Sequence, residues 1–190
     1  MSLSNDPPFA LGQTLGVSLV TDGTGWVGCV KEFVDTNPIN GTIRSNRPKV
    51  CVAVRNTSSA ALLPKRVVRL AGNGTALFGA ADGYAAVTNE EFVGVVDEFL
   101  PAAGVAVNDV FWATVNGPTE VAVALSGSDI TVRSRLAVIT AATSGASAAG
   151  RVTIAALTTG GDARGVIGYA ASAGATTGSA VLALVNTPVK

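Results

Sequence analysis

Ala113-Thr114-Val115-Asn116-Gly117-Pro118 returns 70 residues later as Ala183-Leu184-Val185-Asn186-Thr187-Pro188. Each copy is preceded by a second anchor, Gly94-Val95-Val96 in the first and Gly165-Val166-Ile167 in the second. Six of these nine paired columns are identical, and the spacings agree to within one residue. A period this long, present twice, is too sparse for a solenoid, which stacks three or more repeats. Two copies of one small β-module fit better. The fold class expected is therefore all-β: an N-terminal extended arm followed by two small, similar modules of β-barrel or β-sandwich type.

Composition supports strands. The chain has 190 residues, 48% hydrophobic but only 5% aromatic, with 22 Gly and 8 Pro. Small, β-branched and turn residues in that mixture point to short strands joined by tight turns. Strong helix formers such as Glu, Lys, Gln and Met are scarce, which argues against a helical protein. Charged residues are 14%, below the ~25% of an average soluble domain. A surface so poor in charge suits a chain that covers part of its apolar skin with neighbours.

Strands are expected at residues 14–20, 26–34, 50–55, 66–70, 84–87, 92–96, 110–115, 120–125, 130–132, 136–140, 151–156, 164–170 and 180–185. Residues 88–101 also carry a helical pattern, with a Thr88/Glu91 capping box and Pro101 as a stop. Gly94 and three valines weigh against it, and strand is the favoured reading. Met1 to Gly12, with Asp6-Pro7-Pro8, cannot be a helix and reads as an extended arm. Thr36 to Lys49 reads as a long polar loop, near the upper limit for a passive connection. The domains expected are an arm over 1–13, a first β-domain over 14–132 and a second over 133–190.

The formal net charge is zero, which gives no global pull toward nucleic acid or an anionic membrane. The charges are nevertheless segregated. Lys31 to Arg69 holds eight basic and two acidic residues, and Asp82 to Asp129 holds eight acidic and no basic ones. Opposite blocks can pair within one chain, or meet across subunits and fix their orientation. No run of about 18 apolar residues exists, so no helical membrane span is expected. The N-terminus lacks the basic start and apolar run of a secretory signal.

The chain contains no histidine. That removes Ser-His-Asp and Cys-His triads, His metal sites and imidazole acid–base work together. Cys29 and Cys51 are too few for a four-thiolate zinc site and read as small buried hydrophobes, a disulfide between neighbouring strands being the alternative. Phosphate-binding glycine motifs are absent. Glu90-Glu91 and Asp97-Glu98 are adjacent carboxylates, and neighbours on a strand face opposite ways, so neither pair can be an acid and nucleophile. Trp26 and Trp112 read as core plugs. No enzyme activity, cofactor or metal is expected.

Two stretches carry a resemblance. One runs from Phe33-Val34-Asp35-Thr36-Asn37-Pro38 through Val50-Cys51-Val52-Ala53-Val54-Arg55-Asn56 to Leu63-Pro64-Lys65-Arg66-Val67-Val68. The other is Gly104-Val105-Ala106-Val107-Asn108-Asp109-Val110-Phe111-Trp112. Both resemble the head decoration, or capsid cement, proteins of tailed bacteriophages. The resemblance covers roughly Phe33 to Pro118, with the second module as its weaker echo. It implies a structural virion protein on the capsid exterior, made in the host cytoplasm, that stabilises the shell by bridging major capsid protein subunits. It implies self-association, with a homotrimer favoured over a dimer, and no nucleic-acid or membrane partner. The arm residues Asp6, Pro7 and Pro8 and the loop cations Arg44, Arg47 and Lys49 are the expected capsid contacts. The rival reading is a receptor- or glycan-binding β-module of a fibre or adhesin.

Overall fold

The computed structural model describes residues 27–37, 39–71, 79–85, 92–124, 129–139, 149–155, 166–174 and 179–186. Ten strands occur among them: β1 (Val30–Thr36), β2 (Ile43–Asn56), β3 (Val67–Ala71), β4 (Ala80–Tyr84), β5 (Phe92–Val96), β6 (Val110–Ala122), β7 (Arg135–Val138), β8 (Val152–Ile154), β9 (Val166–Ala170) and β10 (Ala180–Asn186). Every regular element in the described residues is a strand, so the chain is all-β. The expected arm, the strand at 14–20, Trp26 and the residues 86–91 lie outside the described residues.

One sheet carries all ten strands in the order β1-β2-β4-β3-β5-β6-β10-β9-β7-β8. β2 also pairs with β6, which brings β2, β4, β3, β5 and β6 into a ring. The seam of that ring is short: two parallel pairs, Arg55↔Ala80 and Asn56↔Ala81. Inside it pack Val52, Val54, Val68, Leu70, Val96, Phe111 and Ala113, all buried. Alternate residues of each strand supply this core, as the two-residue period of a strand requires.

β6 does not end where the first ring ends. Val110 to Asn116 pairs with β2, and Asn116 to Ala122 pairs with β10. Beyond β6, Val123 bridges Val152 in parallel, as β2 does with β4. The pairings β3–β4, β3–β5 and β5–β6 therefore have counterparts in β7–β8, β7–β9 and β9–β10. Individual backbone hydrogen bonds recur as well. Lys65 N–H donates to Val96 O and Arg133 N–H to Ala170 O; Ala85 N–H donates to Val67 O and Ala155 N–H to Arg135 O. The residue boundary expected at 132/133 follows Ile130, whose backbone pairs with Gly174. A second apolar cluster joins Val67 and Val95 to Val121, Leu136 and Val185, so the two halves share a core.

Several elements differ from the sequence reading. Two strands were expected at 110–115 and 120–125, yet a single strand, β6, runs through Gly117-Pro118 between them. Gly117 makes this feasible: its φ is +101°, and a Cβ there would lie 2.3 Å from Pro48 O. A left-handed backbone with that approach favours glycine. The repeat also shifts by three residues at its first anchor. Val95 and Val96 face Thr114 and Ala113, whereas Tyr169 and Ala170 face Leu184 and Ala183. The counterpart of Gly94-Val95-Val96 is thus Gly168-Tyr169-Ala170, not Gly165-Val166-Ile167. At the other contested place, Phe92 to Val96 is strand and not helix.

Candidate contact surface

The expected polar loop over 36–49 is mostly strand. β1 reaches Thr36 and β2 starts at Ile43, leaving a short hairpin connection. The Asn37 side-chain oxygen accepts from Ile39 N–H at 2.8 Å, and that of Asn40 accepts from Thr42 N–H at 3.0 Å. Such side-chain mimicry of a backbone turn is what asparagine supplies. The polarity of this stretch has another origin, a buried ionic cluster.

Arg44 lies at its centre. Its Nε and Nη2 donate to Asp35 Oδ1 at 3.0 and 2.6 Å, and its Nη1 and Nη2 donate to the two Glu98 oxygens at 3.0 and 2.7 Å. Nη1 also approaches Glu120 at 3.4 Å. Lys49 Nζ pairs with Glu98 and sits 5.0 Å from the centre of the Phe99 ring. Ser45 donates to Asp35 at 2.9 Å, and Lys65 closes the network onto Glu120 at 2.7 Å. Asp35 is 0% exposed, Lys49 1% and Glu98 4%. Burial acts to lower the Arg44 pKa, but hydrogen bonds to Glu98 and Asp35 and their charges outweigh it, and the value stands above the ordinary one. Three cations thus meet three carboxylates, and among the described residues no group of His, Cys, Asp or Glu is arranged to hold a metal.

The segregated charge blocks therefore meet inside the chain. Arg44, Lys49 and Lys65 come from the basic block and Glu98 and Glu120 from the acidic one; Arg69 and Asp82 add a bidentate pair at 2.8 and 2.9 Å. The effect is to fasten the β1–β2 hairpin onto β6 and the turn after β5. Phe33 adds an apolar fastening, edge-on to Trp112 with ring centres 5.3 Å apart. Trp112 is 1% exposed, as expected of a core plug.

Of the expected contact residues, Arg44 and Lys49 are engaged in this cluster, while Arg47 is exposed. Asp6, Pro7 and Pro8 lie outside the described residues. Neither cysteine is in a disulfide; Cys51 is buried, but Cys29 is exposed rather than buried as expected. Burial pushes the Cys51 thiol up to about 12.

What the sequence reading missed is the face the hairpin presents. Val30, Val34, Ile39 and Ile43 are exposed by 65, 61, 91 and 64%. Val30 and Val34 alternate with the inward Lys31, Phe33 and Asp35, so they share the opposite face of β1. Exposed Pro48 lies opposite Val34 in β2. The period-two alternation of β1 was the available signal, and it was hidden because the inward positions are partly charged.

No family model matches the chain, and no curated protein matches it. Among solved structures, the chain is similar to the N base of head fiber gp8.5 in bacteriophage phi29, at 18% identity and a TM-score of 0.39. That match covers 74% of this chain and 97% of the other.

Proposed function

We propose that this chain is a structural protein of a bacteriophage virion that binds the outer surface of the capsid and stabilises it by bridging major capsid protein subunits. The observation that carries the reading is the β1–β2 hairpin: four large apolar side chains exposed on an element fastened from behind by buried ion pairs. Exposed apolar side chains on a rigid support, with the exposed Glu32 between Val30 and Val34, suit a contact protein, because the burial of apolar surface is the dominant favourable term in association. The resemblance of residues 33–118 to capsid cement proteins supplies the partner. Arg47, exposed in β2 next to the exposed Pro48, is a cation that can meet that partner.

The mechanism is mechanical. A subunit that binds only the assembled lattice stabilises it by about 2.7 kcal/mol at a hundred times its dissociation constant. Repetition over many sites multiplies the gain. The chain acts as a homotrimer in this scheme, and no cofactor takes part. The test mixes purified protein with undecorated heads of the phage that encodes it, then heats them. Saturable co-sedimentation and a higher temperature of DNA release are expected; heads that neither bind the protein nor gain stability refute the reading.

A further inference from the structure

The repeated pairing scheme allows the same row of residues to be compared in the two halves. In the first half the row across the sheet is Val67, Val95, Thr114 and Cys51, joined by direct pairings. All four are between 0 and 1% exposed. In the second half the corresponding row is Arg135, Tyr169, Leu184 and Pro118. Here Arg135 is exposed and Tyr169 is 47% exposed. The first row is covered by the chain itself; in the second, Pro118 is buried and Leu184 half-buried, and the row is open at its β7 and β9 positions.

The turn leading into each row shows the same contrast in charge. Lys65 and Arg133 occupy equivalent turn positions, with φ of +63° and +72°. Lys65 is matched by Glu120 of its own chain at 2.7 Å. Arg133 and Arg135 are both exposed and form no ion pair among the described residues. Val132, beside them, is 55% exposed. Arginine and tyrosine flanked by apolar side chains are the residue types that dominate binding energy at protein interfaces. The arginine fork matches a carboxylate with two parallel hydrogen bonds.

We infer that the outer face of β7 and β9, built from Arg133, Arg135 and Tyr169 with Val132 at its rim, is a second docking surface that takes an acidic face of a protein partner. The partner supplies to Arg133 and Arg135 the carboxylates that Glu120 supplies to Lys65. This inference rests on the proposed function for the partner's identity, the capsid shell. It gives each subunit two contact regions, the apolar hairpin and the cationic second half, as a bridge requires.

The experiment compares wild type, the double variant R133E/R135E and the double variant R133K/R135K in binding to undecorated heads at several salt concentrations. Folding is checked by circular dichroism and melting. Wild-type binding with at least a tenfold loss in the Glu variant, near-full retention in the Lys variant and a shallower salt dependence for the Glu variant is the expected result. Wild-type binding with an equal affinity for R133E/R135E overturns the second surface and leaves the proposed function standing. Failure of the wild type to bind overturns both. Should the Glu variant misfold, a photo-crosslinking residue in place of Tyr169 reads the same question. A covalent adduct with capsid protein supports the surface, and heads that bind the protein without one overturn it.

Discussion

The two halves of the sheet use one pairing scheme and finish it differently. The first ring is backed by the β1–β2 hairpin, an ionic cluster and Trp112; the second has a three-residue β8 at its edge and an open outer face. The contrast teaches where stability and contact are kept in such a chain. Among the described residues, Asp35, Lys49 and Glu98 of the first half are turned inward and paired, while Arg133 and Arg135 of the second are exposed and form no ion pair. A repeat therefore does not imply two equal sites, because what is added behind each copy decides which face remains free.

The largest effect separating the halves is expected at Trp112. Its counterpart is Leu182: Asp97 N–H donates to Trp112 O as Ala171 N–H donates to Leu182 O. Trp112→Ala removes a fully buried ring and its edge contact with Phe33, at a cost of about 3–5 kcal/mol. Leu182 is half-buried, so Leu182→Ala is expected to cost about 1 kcal/mol. Urea unfolding of the two variants measures the difference. Equal losses would mean that the first half is not the more firmly built.

Glu98→Gln comes next. Its carboxylate accepts from Arg44, from Lys49, from Thr119 Oγ1 at 3.5 Å and from Glu120 N–H at 3.3 Å. Removing one partner of a buried pair leaves charge uncompensated and costs about 3 kcal/mol. The loss is expected in the unfolding midpoint and in faster proteolysis between β1 and β2. If the stability of Glu98→Gln matches wild type, the cluster does not hold the hairpin.

Cys51 gives a pH-dependent version of the same comparison, since its counterpart Pro118 does not titrate. Burial raises the thiol from 9.0 to about 12. A group whose folded pKa is raised binds more protons in the folded state, so stability is complete below pH 9 and falls as pH rises toward 12. The slope approaches about 1.4 kcal/mol per pH unit, or about 2 kcal/mol by pH 10.5. Wild type should lose this increment relative to Cys51→Ala across pH 8–10.5. Parallel curves for the two proteins would place the Cys51 thiol in contact with water.

Much of this architecture is legible in the residues. The stretches 92–96, 110–115 and 180–185 fall within observed strands because their β-branched runs sit between clear turn signals. The matched stretches Val115-Asn116 and Val185-Asn186 lie on neighbouring strands, with Asn116 directly opposite Asn186 and its Nδ2 3.3 Å from Oδ1. Residues 43–49 were misread because polar side chains usually mark a loop, whereas Arg44 and Lys49 face carboxylates brought from 54 and 49 residues away. Pairing over that distance leaves no local pattern. The open face at Arg135 and Tyr169 was equally hidden: exposure depends on which element lies behind a strand, and the strand's own sequence does not state it.

The smallest effect on the free protein is expected at Tyr169, and it is the one that separates contact from support. Val95, its counterpart, is fully buried in the cluster shared by both halves, and Val95→Ala should cost about 1–2 kcal/mol. Tyr169→Ala removes a half-exposed ring and should stay within about 0.5 kcal/mol of wild type. A stability loss at Tyr169 equal to that at Val95 would make its ring part of the core. If stability is unchanged, any loss of shell binding in Tyr169→Ala belongs to the interface, because the fold that presents the residue is intact.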